Sequence, residues 1–323
     1  MAEYKAIRGH SIRTVEGDPS PLVIGDIWYS STTKKIRGAA LGVGAWASGG
    51  NVNTSRYGSG HVGTQTAALK FGGTPPATAD AEEYDGTSWT EISDIGSARY
   101  GIFGFGTTTA AVQAGGTTRV DTVQTWNGTS WTNGTAINTG RSSSSGGGCG
   151  TLTAGMIVGA TSTQSGLTEQ YDGSSWSEVS DLTTDRGSVA VAGIQTDAVG
   201  AGGGAGNGLG VVEDWNGTSW TETTDLNSDR ANPGGGGATS TAALVFGGTS
   251  PPGQTITGKT EIWDGSSWTE VADISTAREL VGSGQSGPNT AQLCFTGIVP
   301  GTGLTTATEE WTQSVAAESF TSS

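Results

Sequence analysis

Basic residues are scarce in this chain, and their scarcity excludes a class of function. The 323 residues contain 15 lysines and arginines against 30 acidic residues, a formal net charge of -15 at pH 7. Nucleic-acid binding needs a basic surface that displaces counterions from phosphates, so we expect no nucleic-acid partner. The same acidity disfavours anionic membrane surfaces and favours solubility as its explanation.

Long apolar runs are also missing. No stretch approaches the roughly 18 apolar residues that a membrane helix requires, so we expect no membrane insertion. The first residues, MAEYKA, lack the apolar core of a secretion signal. We therefore expect synthesis in a cytoplasm without export by a signal peptide.

Cysteine and histidine are too few for most metal or disulfide chemistry. Cys149 and Cys294 are the only cysteines, and buried free thiols are the favoured interpretation, with a single bridge as the alternative. His10 and His61 have no histidine or cysteine neighbour at a metal-binding spacing. The sequence therefore predicts no metal site and no cofactor.

The sequence does contain a repeat. The segment EIWDGSSWTEVADISTAR at 261–278 recurs as EEYDGTSWTEISDIGSAR at 82–99, and in looser form at 124–141, 169–186 and 213–230. Its second aromatic residue recurs at intervals of roughly 45 residues, a period typical of solenoids, propellers and arrays. An arginine follows each of these tryptophans ten residues later.

The first and last copies are incomplete in complementary ways. Trp46 and Arg56 keep the ten-residue spacing but lack the turn before the tryptophan, whereas Trp311 has the turn-side strand without a second tryptophan after it. Pairing the chain ends in one sheet would leave no exposed edges. We therefore predict six four-stranded blades, with Trp46 in the outer strand of the blade that Trp311 completes.

Within each repeat the local signals are those of β-structure. Asp-Gly or Asn-Gly pairs precede each Ser-Trp and predict tight hairpins. Apolar runs such as residues 66–71 end in paired glycines, although Gly159-Ala160 and Gly297-Ile298 break that pattern. No segment has a sustained helical period, so the predicted fold is all-β.

The repeat resembles a known family. An apolar strand ending in Gly-Gly, an acidic residue before Tyr or Trp, a further Trp about five residues on and an Arg beyond it resemble the kelch repeat of β-propellers. The resemblance spans residues 46–313. It implies a six-bladed kelch-like β-propeller at 41–313, preceded by an N-terminal segment with a β-hairpin at 1–40 and followed by a C-terminal tail at 314–323.

Residues that recur in every repeat are expected to serve the repeat itself. The arginines should pair with carboxylates or carbonyls of a neighbouring strand, and the recurring Glu82, Glu169, Glu213, Glu261 and Glu309 are the candidates. The predicted structural residues are Trp46, Trp89, Trp131, Trp176, Trp220, Trp268, Arg56, Arg99, Arg141, Arg186, Arg230 and Arg278.

Some propellers are enzymes, but the constellations that they need are not evident in this sequence. The copper oxidases that share this fold need Tyr, His and Cys around a metal, which two distant histidines do not supply. Sialidases need arginines that converge on one pocket, whereas these arginines spread around the ring. We predict no catalytic residues and no enzyme; a polysaccharide-degrading enzyme, which needs a pair of carboxylates in one groove, is the less favoured alternative.

Residues 1–40 differ from the repeats and hold six of the 15 basic residues. The stretch GDIWYSSTTKKIRG at 25–38 predicts a hairpin. It resembles a segment of bacteriophage tail-fibre and virion proteins that precedes a variable distal domain, which implies attachment through Ile27, Trp28 and Tyr29. An ordinary leading hairpin is the alternative.

Together the two resemblances imply a bacteriophage virion protein, such as a tail fibre or appendage. Other virion proteins would be partners of residues 1–40, and a host cell-surface glycan or protein would contact the propeller. A capsid or tail decoration protein without host binding is the alternative, and a homo-oligomer is left open. Loops that vary between blades are the candidate host contacts: residues 74–81, 142–148, 203–209, 250–258 and 300–306.

Overall fold

The chain forms two compact units. The computed structural model describes residues 12–143, 147–160, 165–204 and 208–320. One unit spans residues 45–312, and the other combines residues 1–44 with residues 313–323. The predicted all-β fold is confirmed, since within the described ranges the one helical element is the 3₁₀ turn Thr117–Arg119. No helix in those ranges has the length and apolar character needed to cross a membrane.

In the described residues the larger unit contains six four-stranded antiparallel sheets, called sheets 1 to 6, whose strands are given in order from the innermost outward. Sheets 1 to 3 are Gly60–Thr64, Ala67–Phe71, Ala81–Tyr84 and Trp89–Ile92; Phe103–Thr107, Ala110–Ala114, Val123–Trp126 and Trp131–Asn133; and Gly148–Thr151, Ala154–Ala160, Ser165–Tyr171 and Trp176–Glu178. Sheets 4 to 6 are Ala190–Ile194, Asp197–Ala201, Val212–Trp215 and Trp220–Glu222; Gly234–Thr239, Ala242–Phe246, Thr260–Trp263 and Trp268–Val271; and Gly282–Ser283, Ala291–Phe295, Thr308–Thr312 and Ala45–Ser48.

The innermost strands of the six sheets follow one another in a circle. Each contacts the innermost strand of the next sheet, and Gly282–Ser283 of sheet 6 contacts Gly60–Thr64 of sheet 1. The predicted closure is present, because Ala45–Ser48 pairs with Thr308–Thr312 and places Trp46 opposite Trp311. The count of six blades stays a prediction, which this circular order supports.

Each sheet has two different ends because its strands alternate in direction. One end carries the hairpin between the innermost and second strands and the Asp-Gly or Asn-Gly turn between the third and outer strands. We call it the turn end. The other carries the loop between the second and third strands and the linker that leads from the outer strand to the next sheet. We call it the linker end.

The recurring Asp-Gly or Asn-Gly pair specifies the turn between the third and outer strands. The Oδ1 atom of Asp172 accepts hydrogen bonds from the backbone N–H groups of Ser174 and Ser175 at 2.8 and 2.7 Å, and Gly173 has a φ of 95°. Asp and Asn accept such bonds equally well, and glycine tolerates the positive φ. Asp85, Asn127, Asn216 and Asp264 make the same pair of bonds.

The paired glycines hold two consecutive left-handed residues at the linker end. Gly72 and Gly73 have φ values of 63° and 113°, and the glycine pairs of sheets 2, 4 and 5 are similar. In sheet 6 the equivalent pair is Thr296 and Gly297, with φ values of 55° and 110°. The predicted break at Gly297-Ile298 was therefore one residue out of register, since it is Thr296 that replaces the first glycine.

Replacing Thr296 with glycine is expected to raise the free energy of unfolding by about 1 kcal/mol. A β-branched residue is strained at this φ, and the Oγ1 atom of Thr296 is buried without a hydrogen-bond partner among the described residues. Urea denaturation would measure the change. The reverse substitution, Gly247→Thr, should destabilise, because a Cβ atom there would lie 2.5 Å from the carbonyl oxygen of Arg278. A less stable Thr296→Gly protein would contradict the strain argument.

Residues that follow the innermost strand of sheet 6 form hydrogen bonds to the innermost strands of sheets 1 and 2. The amide of Gln285, oriented by its contacts, donates to the carbonyl oxygens of Gly104 and His61 at 2.9 and 3.0 Å, and Ser286 donates from its backbone N–H to Gly63 at 2.9 Å. His61 is fully buried beside Phe295, and its burial lowers the pKa to about 4. Three sheets are therefore joined by these hydrogen bonds.

His61 should make the protein sensitive to acid. Its pKa is lower in the folded chain than the value of 6.5 in the unfolded chain, so between those values the unfolded state binds more protons and stability falls as the pH falls. The stability of the natural protein should therefore decline by about 3 kcal/mol more than that of His61→Gln between pH 7 and pH 4. Equal pH profiles in denaturant titrations of the two proteins would show that His61 does not titrate this way.

The described part of the smaller unit forms one four-stranded sheet. Its strands lie in the order Arg13–Val15, Ile27–Ser30, Lys35–Leu41 and Val315–Ser319. The predicted hairpin is present, with Ile27 opposite Gly38. The last strand falls in residues 314–323, for which the sequence predicts a tail. No repeat signal marks that strand, and its pairing with Lys35–Leu41 joins positions far apart in the chain.

Candidate functional site

Five of the six predicted arginines form buried ion pairs with the predicted glutamates. In each pair, which we call a clasp, an arginine in a linker reaches the third strand of the following sheet. Arg186 and Glu213 are both fully buried. The clasps are Arg56 with Glu82, Arg141 with Glu169, Arg186 with Glu213, Arg230 with Glu261, and Arg278 with Glu309.

Each glutamate also binds the linker backbone. The second carboxylate oxygen of Glu261 accepts the N–H of Asn227, three residues before Arg230, at 2.7 Å. Asn53, Asn138, Thr183 and Ser275 donate in the same way in the other clasps. A carboxylate with these partners is satisfied on both oxygens. This geometry accounts for the repeated arginines through contacts between sheets.

The first clasp has an additional cation. Lys70 is fully buried and donates to the Oε1 atom of Glu82 at 2.9 Å, the same atom that Arg56 contacts at 2.7 Å. The pKa of Lys70 is lowered to about 8, mainly by burial and to a smaller extent by repulsion from Arg56. The attraction of Glu82 opposes both effects. Glu82 thus holds two buried cations at once.

The six repeated tryptophans also join neighbouring sheets. Each stacks on the aromatic residue opposite it in the third strand, as Trp176 does on Tyr171 at 4.9 Å between ring centroids. Its Nε1 atom donates to the preceding sheet or the linker that follows it, as Trp220 does to Thr168 at 3.1 Å. The other donors are Trp46, Trp89, Trp131, Trp176 and Trp268.

The second sheet departs from this pattern. At the glutamate position it has Gln124, whose Oε1 atom accepts the N–H of Gly96 at 2.9 Å. Arg99 is 6% exposed and donates only to the carbonyl oxygens of Ser97 and Gly115, both at 3.4 Å. Among the described residues no carboxylate lies within salt-bridge distance of Arg99.

Arg99 lines a cavity of about 360 Å³ at the linker end, between sheets 1 and 2. The other polar side chains around it are neutral hydroxyls: Ser97, Thr117, Thr118 and Thr122. A buried cation facing a cavity of this size can bind an anionic group. The signal for it in the sequence is the glutamine in QTW at 124–126, which stands where the other repeats have an acid. Sequence reasoning missed this site because it grouped Arg99 with the paired arginines.

The five candidate contact loops all belong to the linker end. Residues 74–81, 203–209, 250–258 and 300–306 connect second to third strands, and residues 142–148 form a linker. Residues 144–146 and 205–207 of these loops lie outside the described ranges. Two of the loops contain small hairpins, Thr249–Ser250 with Thr255–Ile256 and Ile298–Val299 with Gly303–Leu304.

The predicted attachment residues do not share one face of the smaller sheet. Trp28 is 1% exposed, whereas Ile27 is 40% exposed, and the attachment role of Ile27, Trp28 and Tyr29 stays a prediction. Side chains alternate along a strand, and Ile27 and Tyr29 point to the opposite face. Ile36 is paired with Tyr29, and the ring of Phe320 lies over Gly38 on that same face.

Cys149, Cys294 and His61, the cysteines and histidine in the described residues, form no recognisable centre. Cys149 and Cys294 are free and buried, as favoured, and burial raises the pKa of both thiols to about 12. In the described parts of the chain no three His, Cys, Asp or Glu residues are grouped to hold a metal ion. His10 lies outside those parts.

Four-stranded antiparallel sheets in circular order, joined at their innermost strands, define the class: a propeller-like all-β protein. No family model and no curated protein sequence matches the chain. The solved structure titled "Structure of YjhT" is similar, with a TM-score of 0.66 over 83% of this chain and 99% of that one. The identity is 12%, so this likeness shows the fold alone.

Proposed function

We propose that the protein is a bacteriophage virion appendage of the tail-fibre kind, built on a kelch-type propeller. The smaller unit docks on the particle, and the linker end of the propeller contacts the host surface. The observation that carries this proposal is an uneven distribution of exposed apolar side chains. Eight of the ten large apolar residues that are exposed in the described chain belong to the smaller unit.

The apolar residues of the smaller unit include one continuous sheet face, which we call the docking face. Ile27, Ile36 and Phe320 lie on it and are 40%, 42% and 44% exposed. Contiguous exposed apolar surface of this kind marks interaction sites on soluble proteins. Tyr29 is half-buried between them. In the larger unit the exposed large apolar residues are Tyr100 and Ile194.

The occupant that fits the docking face is another virion protein with an apolar patch and basic residues at its rim. Asp26 and Glu318 adjoin the face in the groove beside Phe320. A second copy of this chain would bring the same acidic groups together, and like charges at an interface disfavour association. A basic rim on a different protein would pair with them.

The attachment proposal can be tested by assembling particles with altered chains. Ile36→Glu places a charge on the docking face and should remove the protein from purified particles, as measured by mass spectrometry. Ile194→Glu changes an equally exposed isoleucine, 50% exposed in the larger unit, and should leave incorporation normal. Normal incorporation of Ile36→Glu would contradict the docking face.

Host contact needs a separate measurement. Fluorescently labelled full-length protein should bind cells of the host, and cryo-electron microscopy of the particle should place the chain on a tail appendage. Many copies on the capsid together with no binding to cells would favour the decoration protein of the alternative interpretation. Detection of reducing sugar released from host envelope would favour the enzyme.

A further inference from the structure

Arg99 is the one arginine of the repeated set that lacks a carboxylate partner among the described residues. We propose that Arg99 and its surrounding cavity form a binding site for the carboxylate of an acidic sugar. This inference rests on the proposed host contact and specifies its chemistry. It rests on three features: the contacts that Arg99 lacks, the lining of the cavity, and the position of the cavity at the linker end.

Arg230 shows what Arg99 is missing. Both arginines make the same two long contacts at 3.4 Å, from Nε to a serine carbonyl two residues earlier and from Nη1 to a glycine carbonyl of the paired-glycine turn. Arg230 also donates from Nη1 to Lys259 O at 2.8 Å and from Nη2 to Glu261. The Arg99 guanidinium therefore lies in the equivalent place with its two strongest partners removed.

Electrostatics separates the two arginines in the same way. Burial lowers the pKa of Arg230, but Glu261 counteracts part of that effect. For Arg99 burial lowers the pKa and no carboxylate opposes it. A buried cation without an anion is costly. A ligand carboxylate bound in the cavity would supply the missing negative charge from the side of Arg99 that faces the cavity.

The lining of the cavity favours a sugar over other carboxylates. Thr118 and Thr122 offer hydroxyl groups, which exchange hydrogen bonds with the hydroxyls of a sugar. The Thr117 hydroxyl also lines the cavity, but it already accepts the N–H of Tyr100 and donates to the Tyr100 carbonyl oxygen, both at 2.9 Å.

The site lies where host contact is proposed. Ala77 of the candidate loop 74–81 forms one wall of the cavity. In a protein of net charge -15, an unpaired buried arginine is a local exception that gives selectivity for an anion at that position. A polyuronic acid on a bacterial surface presents many carboxylates, so weak single sites can act together on one particle.

Ligand-observed NMR with the full-length protein is the test. D-Glucuronate is the acidic probe, D-glucose the neutral match, and a short polyglutamate peptide the carboxylate without a sugar. The natural protein should bind glucuronate at least about tenfold more tightly than glucose, as expected for a charge-assisted pair. Equal binding of glucose, or tighter binding of the peptide, would overturn the assignment to an acidic sugar.

Two variants test the role of Arg99 directly. Arg99→Gln removes the cation. Gln124→Glu restores the carboxylate that the other clasps have, so that Arg99 pairs with an internal carboxylate and is not available to a ligand. Both should reduce glucuronate binding at least about tenfold. Lys259→Gln, an exposed cation beside another linker-end cavity, should leave binding unchanged. Gln124→Glu is expected to fold well, so retained binding in that variant would overturn the site.

The same variants distinguish this inference from the proposed function. If the site mediates host contact, the natural protein should bind to host cells and the Gln124→Glu protein should not. Equal binding of both proteins to cells would reject the role of this site in host contact while leaving host attachment in place. No binding of either protein to cells, with glucuronate binding intact in solution, would reject the host contact and keep the site.

Discussion

Glu82→Gln should lower the free energy of unfolding by about 3–5 kcal/mol, because it leaves two buried cations without their shared carboxylate. Arg56 and Lys70 contact one oxygen of Glu82, and both side chains are buried. Guanidinium chloride denaturation at pH 7 would measure the loss. Glu83→Gln is the control, a neighbouring and less buried position where a change within about 0.5 kcal/mol is expected.

The chain itself supplies the compensating variant. Sheet 2 has Gln113 and Gln124 at the positions of Lys70 and Glu82, as their strand registers show. The double variant Lys70→Gln with Glu82→Gln would copy that arrangement into sheet 1 and should regain about 1–2 kcal/mol over Glu82→Gln. If Glu82→Gln were as stable as the natural protein, Arg56 and Lys70 would not depend on the Glu82 carboxylate, and the prediction would be wrong.

Removing the outer strand of sheet 6 should be the most damaging change to the propeller. A chain of residues 45–312 is expected to unfold cooperatively, whereas residues 51–312 should lose at least about 3–5 kcal/mol or aggregate. Trp46 stacks on Trp311 at 5.6 Å and packs edge-on against Phe246 at 5.0 Å. Without the strand Ala45–Ser48, the backbone N–H and C=O groups along the outer edge of Thr308–Thr312 have no strand to pair with.

Tryptophan fluorescence during denaturation and gel filtration would compare the two chains. Trp46→Ala in the full-length protein gives the side-chain share of the loss, and the strand pairing accounts for the remainder. A monomeric 51–312 chain with the stability of 45–312 would show that the circle does not depend on this strand.

The sequence predicts most of the larger unit because each repeat carries local instructions. Asp172-Gly173 specifies its turn by side-chain chemistry, and the complementary ends at Trp46 and Trp311 predict their own pairing. Alignment of equivalent residues also anticipates the Arg–Glu clasps. These features depend on spacing and on short-range hydrogen bonds, which a sequence displays directly.

The remaining features depend on distant contacts or on departures from the repeat. The strand Val315–Ser319 has no repeat to mark it, and its partner lies near the other end of the chain. Trp28 lies on the buried face of its strand. Alternation along the strand predicts that Ile27 and Tyr29 lie on the other face, but it does not predict which face is buried. The unpaired state of Arg99 becomes visible only when the partners of the aligned arginines are compared as well as the arginines themselves.

The pairing of Ala45–Ser48 with Thr308–Thr312 has a consequence for biosynthesis. During translation the first of these strands leaves the ribosome long before the second exists, at roughly 5–20 residues per second. Sheets 1 to 5 can assemble in order meanwhile, but the closing strand pair must wait until Thr308–Thr312 has been made. Pairing between such distant segments is slow. During synthesis the circle of sheets is therefore still open, and Ala45–Ser48 is unpaired. Because that strand has one tryptophan among small residues, it offers little apolar surface to a neighbouring chain.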